Sequence, residues 1–62
     1  MYLYQCEIYH NNNGDRGEIV KVSNGFSVRK YHDFCIMYYS KRFASYGQAK
    51  KHITDDGFRK ER

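Results

Sequence analysis

The side chains best suited to chemistry in this chain are three histidines and two cysteines: His10, His32, His52, Cys6 and Cys35. A catalytic site needs a nucleophile, a base and walls that exclude water. These residues and the seven carboxylates form no pair with a recognisable catalytic spacing. A chain of 62 residues also offers little scaffold for a ligand cleft of about 300 Å³ or more. We therefore predict that the protein is not an enzyme.

The same residues match a metal site poorly. Structural zinc sites show closely spaced pairs of ligands, whereas Cys6 and His10 on one strand would lie about 13 Å apart. His32 and Cys35 straddle a predicted turn and are the better pair, but a turn histidine beside a buried thiol is the simpler interpretation. We predict no metal and no cofactor. Two cysteines are also too few for a secreted disulfide framework, so we predict free, buried thiols in a reducing compartment.

The basic residues are distributed unevenly. Eleven Lys and Arg against seven Asp and Glu give a net charge of +4. From residue 29 to residue 51 the basic side chains are opposed by one acid, Asp33. Such segregation is compatible with an anionic partner, although a solvated face with lysines for solubility is the plainer alternative.

The elements that would position these residues follow from hydropathy patterns. Residues 2–9 alternate between two sets of side chains, a period typical of a strand with one apolar face. The polar segment 11–17 predicts an exposed loop, and it has neither a dinucleotide-binding nor a Walker pattern of glycines. Residues 18–22 form a second short strand, and Ser23-Asn24-Gly25 a turn.

The next strand is predicted from Phe26 to Tyr31, with Phe26 and Val28 on one side and Arg29 and Tyr31 on the other. We place a reversal at residues 30–33. The nearly continuous apolar run 34–39 predicts a central strand that is touched on both faces. Together these segments indicate an antiparallel meander of three to four strands within about residues 2–39.

The final third changes period. Ser45 and Gln48 fit a capping box, and Tyr46, Ala49 and Ile53 then form one helical stripe. Gly57 suits the left-handed residue that ends a helix, with Phe58 beyond it packing back on Ile53. We predict a helix over about residues 46–56 on one face of the sheet, and a frayed tail at 59–62. The fold class is α+β, as a single domain over residues 1–62.

These elements define a candidate surface. If the helix packs through its apolar stripe, its two lysines point to solvent, and the pair at 41 and 42 lies on the loop before it. The predicted nucleic-acid or partner-binding residues are Arg29, Tyr31, Lys41, Arg42, Lys50 and Lys51. Lys and Arg neutralise phosphates, and exposed Tyr stacks on bases or donates to phosphate oxygens. Tyr and Arg are also enriched at protein–protein interfaces, so a protein partner stays open.

The segments Gly25–Lys30 and Ile36–Ile53 resemble the three-strand-plus-helix, arm-binding N-terminal domains of phage and transposon tyrosine recombinases. They are also similar to short phage and prophage accessory proteins. The resemblance rests on the segment Lys41-Arg42-Phe43-Ala44-Ser45, followed by Ala49 and Ile53, and covers about half of the chain. It implies that the sheet face contacts DNA through Arg29 and Tyr31, with Lys41 and Arg42 on the backbone. In the recombinases a catalytic domain follows this segment, whereas here we expect a stand-alone binding module or a regulator.

Two functions are therefore carried forward. The first is a small basic binding module, encoded by a phage or mobile element, that contacts nucleic acid, DNA favoured over RNA, or a nucleic-acid-handling complex. The second is a phage-encoded, anti-CRISPR-like inhibitor that acts on a host nucleic-acid-binding protein or defence complex. No apolar run approaches the length of a membrane helix and no secretory signal is evident. We expect a cytoplasmic protein of a bacterial host cell, without a membrane partner, for which a homodimer is left open.

Overall fold

A computed structural model describes residues 6–33 and 35–60. Its elements are β1 (Cys6–His10), β2 (Arg16–Val22), β3 (Gly25–His32), β4 (Ile36–Phe43), α1 (Tyr46–Asp55) and β5 (Arg59–Lys60). The strands form one open antiparallel sheet in the order β4-β3-β2-β1-β5. The predicted α+β class, an antiparallel sheet with one C-terminal helix on one of its faces, is confirmed.

Local sequence explains the first two reversals. The side-chain oxygen of Asn11 accepts hydrogen bonds from the backbone N–H groups of Asn13, at 3.0 Å, and Asp15, at 2.9 Å. Gly14 in the same loop has a φ of +84°, a conformation that favours glycine. At the β2–β3 turn Gly25 has a φ of +142°, and a Cβ there would collide with the carbonyl oxygen of Phe43.

The core lies between the sheet and α1. Its buried members are Tyr9, Ile19, Val28, Ala49, Ile53 and Phe58. Gly17 faces the helix at the closest approach of the two layers, since a Cβ at this position would lie 2.8 Å from Cδ1 of Ile53. The predicted stripe of the helix is confirmed: Ala49 and Ile53 are fully buried, and Tyr46 packs against them at the edge of the core.

Both predicted helix ends are formed. The Ser45 hydroxyl accepts a hydrogen bond from the backbone N–H of Gln48 at 3.2 Å. Gly57 has a φ of +90° and donates to the carbonyl of Thr54 at 3.0 Å, and Phe58 donates to that of Ile53 at 3.2 Å. This pair of hydrogen bonds is the Schellman ending, with its apolar contact between Phe58 and Ile53.

The third and fourth strands differ from the prediction. β3 continues to His32, and Asp33, with a φ of +54°, makes the reversal. β4 extends to Phe43, so Lys41 and Arg42 belong to a strand and not to a loop. The prediction of a central strand is wrong, because β4 lies at one edge of the sheet and pairs with β3. A row of aromatic and aliphatic residues can thus mark an exposed edge as well as a buried strand.

Two further expectations fail in the described residues. The tail does not fray at Arg59, because Arg59 and Lys60 pair with β1 as a short fifth strand; residues 61 and 62 lie outside the description. Cys6 and Cys35 are free, as predicted, but both are exposed. The buried side of β1 is that of Glu7 and Tyr9, since Tyr9 is 0% exposed. The predicted strand residues 2–5, and Phe34, also lie outside the described part of the chain.

Candidate nucleic-acid interface

The sheet has one face covered by α1 and one, the open face, that α1 leaves uncovered. Paired residues of neighbouring strands share a face, so the register assigns each strand residue to one of the two. The open face contains three cross-strand rows: Arg42-Ser27-Val20-Cys6, then Ser40-Arg29-Glu18-Ile8, then Met37-Tyr31-Arg16-His10-Arg59. The open face is therefore mixed, with aliphatic, hydroxyl and cationic side chains.

Arginine and lysine are segregated between the two faces. Within residues 6–33 and 35–60, all four arginines lie on the open face: Arg16, Arg29, Arg42 and Arg59. The lysines of the strands lie on the helix side: Lys21, Lys30, Lys41 and Lys60. The remaining two, Lys50 and Lys51, are on the exposed surface of the helix. The open face thus presents guanidinium groups, which are planar, permanently charged and able to bind phosphate with two hydrogen bonds.

Glu18 is the one carboxylate on the open face among the described strand residues. Its Oε2 lies 2.9 Å from an Nη of Arg16, and its Oε1 accepts a 3.5 Å contact from the Tyr31 hydroxyl. Arg29 is its direct cross-strand neighbour. Glu18 therefore contacts the Arg16 and Tyr31 side chains and faces Arg29 across the strand pair, and the acid is outnumbered by the arginines around it.

The six residues predicted for the interface are divided between two surfaces. Arg29, Tyr31 and Arg42 lie on the open face. Lys41 lies on the helix side of β4, with its ammonium 5.4 Å from the centre of the Phe43 ring. The structure brings the first three together and does not join them to the helix lysines on one side.

The helix lysines interact with their own element. Lys51 pairs with Asp55 at 3.2 Å, one turn along the helix, and the ammonium of Lys50 lies 5.9 Å from the centre of the Tyr46 ring. Lys51 borders a shallow groove between α1 and the end of β4, together with Lys41 and Arg42. Arg42, on the edge strand, is therefore the residue at which the two surfaces meet.

Lys30 is a core residue, although the sequence places it with the exposed basic residues. It is 4% exposed, and its ammonium donates to Asp56 at 2.7 Å and lies 3.1 Å from Nε2 of His52. The ring of Tyr39 lies 4.4 Å from the same ammonium. Burial, followed by the charge of Lys30, holds the pKa of His52 below its ordinary value, so a neutral imidazole accepts from the lysine. This cluster fastens the helix to the sheet.

A second polar cluster closes the other side of the helix. The carboxylate of Glu7 accepts hydrogen bonds from the Tyr46 hydroxyl at 2.7 Å and from the Tyr9 hydroxyl at 3.0 Å. Lys60 forms an ion pair with the same carboxylate at 3.3 Å. Burial alone would raise the pKa of Glu7, but the hydrogen bonds from these three side chains outweigh it and the pKa is lowered. The carboxylate is therefore ionised and serves to position the helix.

The residues first considered for chemistry are dispersed. His52 belongs to the lysine cluster, and His32 lies 3.1 Å from a carboxylate oxygen of Asp15 and stacks on Tyr38. Burial, then the charge of Glu18, raises the pKa of the Cys6 thiol. Among the described residues, no group of three or more His, Cys, Asp or Glu is arranged to hold a metal ion.

Sequence reasoning missed Arg16, Arg59 and Glu18 as parts of the open face. The sequence pattern places Arg16 in the polar loop and Arg59 in the tail. The alternation of polar Arg16 and Glu18 with Gly17 and Ile19 is the signal that would extend the second strand back to Arg16. Arg59 has no comparable signal, because a two-residue strand is too short to show a period.

No family model, curated protein or solved structure matches this chain. In residues 6–33 and 35–60, no helix has the length and apolar character required to cross a bilayer. The geometry of the open face is therefore the observation on which a function can be argued.

Proposed function

We propose that this protein is a small, non-enzymatic module that binds duplex DNA through the open face of its sheet. The observation that carries the proposal is the placement of every described arginine on that face, with Glu18 as its single described carboxylate. The other described carboxylates belong to the helix side, the loops or the helix end. A polyanion approaching the open face meets four guanidinium groups and one carboxylate among the described strand residues.

Guanidinium groups suit this role for two physical reasons. They donate several hydrogen bonds in one plane, which matches phosphate oxygens, and they lose less hydration energy than an ammonium does. Phosphate contacts supply most of the affinity of non-specific binding and release counterions, so the interaction weakens steeply with salt. The segregation of arginine from lysine therefore favours a phosphate-bearing ligand at the open face over a general solubilising charge.

The aromatic content of the open face favours a duplex over a single strand. Single-stranded nucleic acids are held by aromatic platforms on which successive bases stack. The described strand residues of the open face include two ring side chains, Tyr31 and His10, and the Tyr31 hydroxyl is directed at Glu18. A face with more guanidinium groups than rings is suited to the backbone of paired strands.

The test compares two double variants of equal charge. Arg29→Gln with Arg42→Gln removes two charges from the open face, and Lys50→Gln with Lys51→Gln removes two from the helix. Binding to a mixed-sequence duplex is followed by fluorescence anisotropy at several salt concentrations. We expect the arginine variant to reduce the log–log salt slope by about 2, at roughly 0.9 per phosphate contact, and the lysine variant to change it little.

Two outcomes would contradict the proposal. One is no salt-dependent binding of the unmodified protein to duplex DNA at low ionic strength. The other is equal weakening by the two double variants, which would show that net charge and not the open face governs the interaction. Single-stranded DNA and duplex RNA, titrated in parallel, establish whether the duplex DNA preference holds.

A second candidate function is supported by the edge strand. Ile36 is 64%, Met37 51% and Tyr38 44% exposed at the start of β4, and an edge strand can pair with another chain through its main-chain groups. An inhibitor of a host protein or defence complex, encoded by a phage, would use this edge. This inhibitor hypothesis predicts that a pull-down from nuclease-treated bacterial lysate recovers a partner protein in stoichiometric amount. It also predicts that the double substitution Ile36→Lys with Met37→Lys abolishes the recovery of that protein.

A further inference from the structure

The arginines of three successive strands lie on one straight diagonal of the open face. Arg42 pairs with Ser27, two residues before Arg29 on β3. Arg29 pairs with Glu18, two residues after Arg16 on β2. Each step of this arginine diagonal (Arg42, Arg29, Arg16) therefore crosses one strand and advances two residues along the sheet.

The spacing of the diagonal has a chemical meaning. The Cα atoms of diagonal neighbours on adjacent antiparallel strands are about 7–8 Å apart. This distance is close to the separation of successive phosphorus atoms along one strand of DNA. Cross-strand neighbours on the same row lie nearer to each other, at about 4.5–5.5 Å. Three guanidinium groups on a diagonal can thus each meet a different phosphate, whereas two on one row would compete for the same one.

The neighbours of the diagonal keep it in place. Glu18 lies between Arg16 and Arg29; it forms an ion pair with Arg16 at 2.9 Å, and its side chain is 14% exposed. Ser27 and Ser40, the cross-strand partners of Arg42 and Arg29, are short and leave the two guanidinium groups room to extend. At the end of the diagonal, Arg16 continues along the third row to His10 and Arg59.

We infer that the arginine diagonal binds three successive phosphates of one DNA strand, so that this strand crosses the sheet obliquely and the contact is independent of base sequence. The inference rests on the proposed function and adds the path of the ligand to it. With about three phosphates neutralised, the salt slope for a duplex is about −2.7. Arg59 and Tyr31 lie beside the diagonal, outside the track of these three phosphates.

The decisive experiment moves one arginine without changing the charge. Arg29→Ser removes the middle group of the diagonal, and adding Ser40→Arg returns a guanidinium directly across the strand pair, at an exposed position off the diagonal. Binding to a mixed-sequence duplex is measured by anisotropy for the original protein, the single variant and the relocated variant. Circular dichroism and urea midpoints confirm that all three are folded.

We expect Arg29→Ser to weaken binding about tenfold at low salt and to flatten the slope by about 0.9, and the relocated variant to stay weak. Arg42→Gln, on the exposed edge strand, should flatten the slope equally and supports the inference if the residue 29 variants do not fold. Full recovery in the relocated variant would overturn the diagonal and leave the open face as the binding surface. Failure of the unmodified protein to bind duplex DNA would overturn the proposed function together with the diagonal.

Discussion

Lys30 shows how a charged residue can be part of a small core. Its stem lies among the apolar residues under α1, and its ammonium reaches Asp56 at the helix end. The ion pair has no local sequence signal, since Lys30 follows Arg29 in a basic stretch and is separated from Asp56 by 26 positions. The burial of Lys30 does have one, because the alternation of β3 continued past Val28 puts Lys30 on the core side.

The partners in this ion pair differ in exposure, and this predicts unequal effects of removing them. The side chain of Lys30 is 5% exposed and that of Asp56 51%. Asp56→Asn leaves a buried cation without its counter-charge; because half-exposed Asp56 is partly screened by solvent, we expect a loss of about 1–2 kcal/mol, below that of a fully buried pair. Lys30→Met keeps the apolar stem and returns a carboxylate to water, so we expect a loss of about 1 kcal/mol or less. Urea unfolding of the two variants checks the order, and a larger loss for Lys30→Met would contradict it.

His52 predicts a pH dependence of stability. Burial first, then Lys30, lowers the pKa of His52 from its ordinary 6.5, while Asp56 and Asp55 oppose this and Lys41 adds to it. As the pH falls below 6.5 the unfolded chain therefore takes up the proton before the folded one, and the free energy of unfolding decreases until the folded pKa is reached. Above 6.5 both states are neutral and this contribution is constant.

The measurement is a set of urea unfolding curves from pH 7.5 to pH 5. His52→Phe keeps a ring between Tyr39 and Phe43, and His52→Gln keeps a polar partner for Lys30; both should remove the slope in this window. The carboxylates with lowered pKa values, Glu7 and Asp15, lose their contribution at more acidic pH, below their ordinary values. A slope that persists in both variants would show that another group titrates.

At the scale of elements, the helix was predictable because its signals are local. Ser45 and Gly57 delimit it through contacts no more than four residues away. The strands were predictable in type but not in order. Whether the apolar run of β4 lies at the centre or the edge depends on which strands come to flank it, and no residue in the run encodes that.

The N-cap hydrogen bond of Ser45 predicts that removal of its hydroxyl lowers the free energy of unfolding. Ser45→Ala removes the acceptor for the Gln48 N–H, and we expect about 1 kcal/mol of destabilisation. Ser45→Asp restores an acceptor and adds a negative charge at the positive end of the helix dipole, so it should recover the loss. Thermal and urea unfolding measure both, and equal stability of all three proteins would show that the cap is not formed in solution.

Gly47 in the first turn of α1 and Gly57 just beyond its C-terminal end predict opposite effects of substitution by alanine on the free energy of unfolding. A Cβ at Gly47 meets nothing within 4 Å, so Gly47→Ala in the exposed first turn should stabilise by about 0.5–1 kcal/mol. Gly57 has equally open surroundings but a φ of +90°, so Gly57→Ala should destabilise by about 1–2 kcal/mol. If both substitutions change the free energy of unfolding in the same direction relative to the original protein, the assignment of the helix end is contradicted.

At the scale of the whole molecule, the sequence predicts one basic surface made of six residues, and the structure places three of them, Arg29, Tyr31 and Arg42, together on the open face. Arg29 and Tyr31 were found because alternation within one strand puts them on the same side. The grouping of Arg16, Arg29 and Arg42 could not be predicted, because it depends on the register of three strands. Lys41, next in the chain to Arg42, is grouped with it because the sequence predicts a loop at residues 41 and 42; in the structure β4 extends to Phe43, and strand alternation puts Lys41 on the other face.

The two exposed cysteines provide a probe of which surface binds. Cys6 lies on the open face, in the row of Arg42; burial, then Glu18, raises the pKa of its thiol, while Arg16 and Arg29 act to lower it. Cys35 lies in the β3–β4 turn, where its N–H donates to His32. Bound DNA should shield Cys6 from a maleimide. Its negative phosphates should also raise the pKa of the thiol further, and labelling then slows because only the thiolate reacts.

We therefore expect saturating duplex DNA to slow labelling of Cys6 several-fold while labelling of Cys35 changes little, as quantified by mass spectrometry of proteolytic fragments. The ratio of the two rates in one sample corrects for protein concentration and reagent decay. Labelling in urea, where both thiols are equally accessible, gives the reference without a binding surface. Binding through Lys50 and Lys51 would place the DNA on the opposite side of the molecule and leave the Cys6 rate unchanged, so unchanged labelling by a DNA-saturated protein would exclude the open face as the interface.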